Sequence, residues 1–169
     1  MEDPYMNRNK IIRITLAGVV AALYTVLTVA LPQLSYGPIQ IRFAEALCML
    51  PLIFPETVAG VTLGCLISNL LSPFGAADII FGTLATLIAT LIVSRMKNKW
   101  LAPIPIVLSN GIIVGGLIAW YETGFTQAFL PAFVYNCGTV ALGESVVCWT
   151  LGVLLVKVMP GIMNKARIK

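Results

Sequence analysis

The sequence predicts an all-α integral membrane protein with six transmembrane helices and both termini in the cytoplasm. Three observations carry that reading. The 169 residues are 59% hydrophobic and only 11% charged, where a soluble domain carries about 25% charged residues. The apolar runs are continuous rather than alternating, which argues against a β-barrel. Finally, ten of the eleven Lys and Arg residues fall on one side of a six-span layout. They are Arg8, Lys10, Arg13, Arg95, Lys97, Lys99, Lys157, Lys165, Arg167 and Lys169, with Arg42 alone opposite. Cytoplasmic loops collect such residues. A span needs about 20 residues, so residues 1–169 form a single membrane domain with no room for a soluble one.

The elements follow in order. Residues 1–10 are polar and expected to fray. Span one covers 11–31 and stops at Pro32. A Pro/Gly loop, 32–40, carries Tyr36. Span two, 41–54, is short, and Pro51 bends or trims it. Pro55 and Glu56 start span three, 57–71. Ser72-Pro73-Phe74-Gly75 leads into span four, 76–93. The basic loop of Arg95, Lys97 and Lys99 ends at Trp100. Span five covers 101–121, with Glu122 to Gly124 as a turn. Residues 125–131 suit a short interfacial helix, and span six, 132–159, ends at Pro160-Gly161.

Some chemistries are excluded by composition. There is no histidine, so Ser/His/Asp and Cys/His catalysis are impossible and a zinc or haem site is disfavoured. Cys48, Cys65, Cys137 and Cys148 lie in apolar runs and read as buried free thiols. No GxxxxGK[ST] phosphate loop occurs. The chain reads as a non-enzyme with no catalytic residue, no metal and no cofactor of its own. Its positive charge is explained by topology rather than by nucleic acid.

The remaining polar residues gather in the outer half. Arg42 and Glu45 open span two, Asn69 ends span three, Asp78 opens span four, Tyr121 and Glu122 end span five, and Asn136 lies in the outer part of span six. Asn110 and Glu144 lie near mid-depth, where each is a candidate partner of the other. A charged side chain within a span costs roughly 2.5–3.5 kcal/mol on insertion scales and marks a functional site by default. The pattern describes a cup open to the outside, roofed by the loop bearing Tyr36 and Gln40. Each member has a plainer role. Arg42 and Glu45, three apart, could pair with each other, Asp78 could cap span four, Asn69 could bridge helices, and Tyr121 could sit in an aromatic belt. Span one offers small residues, Ala17 and Ala21, for close approach of another helix.

With Ala17 and Ala21 in span one, YGPIQIRFAEAL (36–47) and SNLLSPFGAADIIFGTLATLIA (68–89), the chain resembles the QueT family. These are substrate-binding S components of energy-coupling factor (ECF) transporters, and the likeness runs through most of the chain. The resemblance implies a six-helix bundle in the bacterial cytoplasmic membrane that takes a small molecule from outside. The family cargo is a queuosine precursor, a 7-deazaguanine base with, in one form, a cationic aminomethyl arm. It also implies a transmembrane coupling protein, met by Ala17 and Ala21, and two ATPase subunits that hold the ATP and Mg. Loop 32–40 becomes a lid. The substrate-binding candidates are Tyr36, Gln40, Arg42, Glu45, Asn69, Asp78, Tyr121, Asn136 and Glu144. Glu45 is the first candidate for the guanine-like edge, Asp78 or Glu144 for the ammonium arm, and Asn69 or Asn136 for the carbonyl. Alternatives are an S component for riboflavin, thiamine or tryptophan, and a stand-alone proton-coupled carrier. An inert scaffold would not keep several costly polar groups in one leaflet.

Overall fold

The computed structural model describes residues 4–36 and 40–165, and side chains from Lys10 to Met163 within them. The basic tail residues Arg167 and Lys169, and residues 37–39 of the expected lid, lie outside this range. Helix α1 is Pro4–Ala30 and is followed by a single helical turn, Pro32–Ser35. A ten-residue 3-10 helix, Phe43–Leu52, comes next. Helix α2 is Thr57–Asn69 and α3 is Gly75–Val93. Helix α4 joins Pro103–Ser109, a π segment Asn110–Val114, and Gly115–Thr123. Helix α5 joins Phe129–Val147, a π segment Cys148–Gly152, and Val153–Lys165. Among the described residues there is no strand.

Four helices are long and apolar enough to cross a membrane: Lys10–Ala30, Gly75–Val93, Pro103–Thr123 and Phe129–Met163. Two shorter apolar segments, Phe43–Leu52 and Thr57–Asn69, complete the set. The outward surfaces suit lipid. Ile14, Leu23 and Val26 on α1, Ile80 and Ile88 on α3, and Leu142 and Leu154 on α5 are all exposed.

The 3-10 helix is the axis of the bundle. Every residue from Ala44 to Pro51 is buried, and it packs against all five α-helices. A 3-10 helix rises about 2.0 Å per residue against 1.5 Å in an α-helix. Ten residues therefore reach about 20 Å rather than 15 Å. The tighter winding places residues three apart directly above one another, and Cys48 Sγ accordingly lies 2.9 Å from Glu45 Oε2. An α-helical span two over 41–54 is corrected in winding and in start. Arg42 sits outside the helix in extended backbone, φ −89° and ψ 101°.

Glycines let neighbouring segments close on one another. A Cβ on Gly60 would lie 2.9 Å from the Ala17 Cα, and one on Gly64 would lie 2.7 Å from the Ala21 carbonyl oxygen. So α1 and α2 cross backbone to backbone, the arrangement small residues permit in membranes. The resemblance sets Ala17 and Ala21 against a partner protein; within the chain they pack on α2. Ala21 is buried, and both alanines are occupied by α2. Among the described side chains of α1, Gly18, Ala22 and Ala30 are small residues left exposed. Gly143 on α5 is pressed against the Gln40 backbone, whose carbonyl carbon would lie 2.8 Å from an added Cβ.

Two further expectations change. Residues 125–128 form turns, not an interfacial helix. Gly124, at φ +58°, reverses the chain in a conformation that glycine adopts without strain. Thr126 Oγ1 then donates to the Thr123 carbonyl at 3.0 Å, holding the turn. Helix α5 runs through Pro160 to Lys165 instead of stopping at Pro160-Gly161. The proline forfeits one bond, to the carbonyl of Val156 four residues earlier, and the helix tolerates it.

Backbone contact at Gly143 makes a sharp prediction. Gly143→Ala should lower stability by about 1–3 kcal/mol through overpacking. Gly18→Ala, with nothing within 4 Å of its added Cβ, should lower it by none. Thermal unfolding of both variants in detergent checks the contrast.

Candidate functional site

Arg42 leaves the end of the extended segment and turns inward, only 3% exposed. Its Nε donates to the Ser35 carbonyl at 3.0 Å, and Ser35 Oγ donates to the Thr28 carbonyl at 2.9 Å. The guanidinium lies 3.6 Å from Asp78 Oδ2 and 5.1 Å from the centre of the Tyr36 ring. Tyr36 is itself tied to α2, its hydroxyl donating to the Ser68 carbonyl at 2.8 Å. One cation thereby gathers α1, the turn after it, α2 and α3. A mouth of about 340 Å³, lined by Pro32, Gln33, Tyr36, Leu71 and Pro73, opens beside Tyr36.

Asp78 is fully buried and caps nothing; α3 starts from Phe74 with no side-chain cap. Beside it, Asn69 Nδ2 donates to the Asp78 carbonyl at 3.0 Å. Arg42 and Glu45 do not form an ion pair, because Arg42 precedes the helix and answers Asp78 instead. Glu45 accepts a hydrogen bond from the Tyr24 hydroxyl on Oε1 and one from Cys48 on Oε2. Tyr24 was hidden in an apolar run of span one, where a tyrosine reads as one more large core residue.

Glu144 lies one turn before Cys148, whose thiol reaches the Glu45 carbonyl oxygen at 3.7 Å. Asn110 Nδ2 donates to Glu144 Oε1 at 3.2 Å, the partnership that equal depth suggested. Asn110 opens the α4 π segment and Cys148 opens that of α5. Irregular helix of this kind is frequent at functional sites. The thiols of Cys48, Cys65 and Cys148 are free and buried, and Cys137 is free and partly exposed.

The other candidates sit apart. Asn136 Nδ2 is engaged by Glu122 Oε2 at 2.8 Å and by the Ala132 carbonyl at 3.0 Å. Tyr121 is 49% exposed, and its hydroxyl donates to the Phe74 carbonyl at 2.7 Å. It pins the start of α3 from outside the buried group, which corrects its expected place in the cup.

Six buried polar atoms among the candidates have no hydrogen-bond partner among the described residues. Gln40 Nε2 and Arg42 Nη2 are donors, and Asn69 Oδ1, Asp78 Oδ1, Asp78 Oδ2 and Glu144 Oε2 are acceptors. The Arg42–Asp78 approach is within ion-pair reach but beyond hydrogen-bond length. A buried unpaired polar group costs about 1–3 kcal/mol, so native proteins keep few of them without a reason. Glu45, by contrast, has both oxygens engaged. Its role is to fasten α1 to the axis. Tyr24→Phe should therefore cost about 1–3 kcal/mol of stability, the usual loss when a buried polar group is left without its partner. Chemical or thermal unfolding measures it, and an unchanged midpoint would remove the Tyr24–Glu45 bond from the account.

Comparison with known proteins fits this geometry. A family model described as QueT transporter matches residues 14–160. The "Queuosine precursor transporter QueT" of Lactococcus lactis subsp. cremoris (strain MG1363) is 39% identical over 101 residues. That alignment covers 56% of this chain and 59% of the relative. No solved structure matches the chain. With the family match running through nearly all of its helical core, the chain belongs to the QueT transporter family.

Proposed function

We propose that the chain is the substrate-binding membrane subunit of an ECF-type importer for a queuosine precursor, a 7-deazaguanine base captured from outside. The observation that carries the cargo is the set of six orphaned polar atoms. A guanine-like edge offers two N–H donors beside a carbonyl acceptor, and an aminomethyl arm adds an ammonium. The orphans offer the complement, with four acceptors and two donors. Carboxyl groups also outnumber the one guanidinium: Glu45, Asp78 and Glu144 are buried beside Arg42. The name of the Lactococcus relative supports the same cargo.

In this reading Glu144, steadied by Asn110, meets the N–H edge. Arg42 and Gln40 donate to the carbonyl, and Asp78 with Asn69 receives the ammonium arm. Glu45 passes from recognition to fastening. Tyr36 closes the mouth. The wrong ligand is rejected because it leaves these buried groups unpaired.

The six-span layout with cytoplasmic termini, in the bacterial cytoplasmic membrane, is part of the proposal. The 3-10 helix reaches about 20 Å and α2 about 20 Å, so both go deep into a hydrocarbon core of about 30 Å. The lysine and arginine distribution supports the orientation. Energy would come from a coupling protein and two ATPases holding ATP and Mg. Uptake into proteoliposomes separates this from the stand-alone carrier. The importer accumulates base only with those partners and ATP, whereas accumulation driven by a pH gradient alone favours the carrier.

Calorimetric titration of the purified chain tests the site. Glu144→Gln should weaken the base by about tenfold or more, equivalent to 1.4 kcal/mol. Glu45→Gln should lower the unfolding midpoint more than it lowers affinity. The reverse ranking would return recognition to Glu45.

A further inference from the structure

Gly82 differs from most of the closely packed glycines in facing polar side-chain ends, where Gly152 faces the apolar Met49 side chain. Gly60, Gly64, Gly115 and Gly143 each face backbone atoms of a neighbouring segment, where an added methyl would force chains apart. An added Cβ at Gly82 meets only side-chain ends. It would overlap Asp78 Oδ1, lie 2.8 Å from Asn69 Nδ2, and lie 3.3 Å from Asp78 Cγ. Side chains on a helix ordinarily lean toward its N-terminus. Asp78 leans the other way and lies over residue 82, one turn further along α3. That is the direction away from the mouth and into the bundle.

The geometry points to Gly82 as a positioning residue that sets the site's preference for a cationic arm. Its missing side chain leaves the notch in which the Asp78 carboxylate rests, beside Asn69 and within reach of Arg42. The notch fixes how deep an ammonium must enter to meet Asp78. Any side chain at 82 displaces both polar ends and withdraws the carboxylate from that depth. The guanine-like edge, read by Glu144 and Arg42, is left alone. The inference rests on the proposed function for the identity of the guest and goes beyond it in naming what tunes the arm.

Two probes test it on the full chain in nanodiscs: 7-deazaguanine with an aminomethyl arm and the parent base without one. Gly82→Ala should weaken the armed base by about tenfold or more, equivalent to 1.4 kcal/mol, and the parent by less than about threefold. Asp78→Asn should give the same split, and the double variant should bind no more weakly than either single, as residues acting through one contact are non-additive. Equal weakening of both bases, or of neither, overturns the inference. If the unaltered chain binds neither base, the proposed function fails, and the notch is read without ligand. Asp78→Asn should then move the unfolding midpoint in the Gly82 background and leave it unchanged in Gly82→Ala; equal shifts overturn the inference. Should Gly82→Ala fail to fold, Asp78→Asn in the unaltered background carries the comparison, and equal weakening of both bases by it overturns the inference.

Discussion

A guanidinium buried in an apolar bundle constrains everything around it. Arg42 cannot shed its proton at any ordinary pH, so its charge must be answered where it stands. Removing one partner of such a pair costs about 3–5 kcal/mol, which makes the position of Asp78 as fixed as that of Arg42. The side chain reaches the Ser35 carbonyl, the Tyr36 ring and Asp78 at once. The turn after α1 and the start of α3, distant in sequence, are thereby brought together. At this end of the bundle, the cation does what a hydrophobic core does elsewhere.

Around it the backbone departs from regular α-helix wherever a polar group must be aimed. The 3-10 axis stacks Glu45 over Cys48, and the π segments begin at Asn110 and Cys148. Glycines admit α5 to the axis at Gly152 and leave space for Asp78 at Gly82. The outcome is a bundle in which part of the buried polar surface stays unanswered. Such a surface is poor for stability and well suited to discriminating a guest rich in N–H groups.

Much of this was legible from residue chemistry alone. Charges in a chain with so few of them had to be buried and answered, so Arg42, Asp78, Asn69 and Glu144 stood out. The pairing of Asn110 with Glu144 followed from depth. Spacing was the weaker guide. Arg42 and Glu45 are three apart and would share a helix face, but Arg42 stands before a 3-10 helix, and no local signal marks that winding. Tyr24 is one of the few polar residues of span one, yet nothing in the sequence gives it a role, because a phenol in an apolar run looks like core until its hydroxyl has a partner. Ala17 and Ala21 read equally well as an outer or an inner contact face. Only the position of Gly60 and Gly64 on the neighbouring helix decides between them, and pairing between distant helices is not written in either one.

Native mass spectrometry of the chain released from its own membranes bears most directly on the central claim that the buried polar group is a seat for a 7-deazaguanine base. The account predicts one bound molecule per chain with the mass of such a base, lost when Asp78 and Glu144 are both neutralised. A flavin, thiamine or tryptophan mass in its place, or a base still held by the doubly neutralised chain, would contradict it.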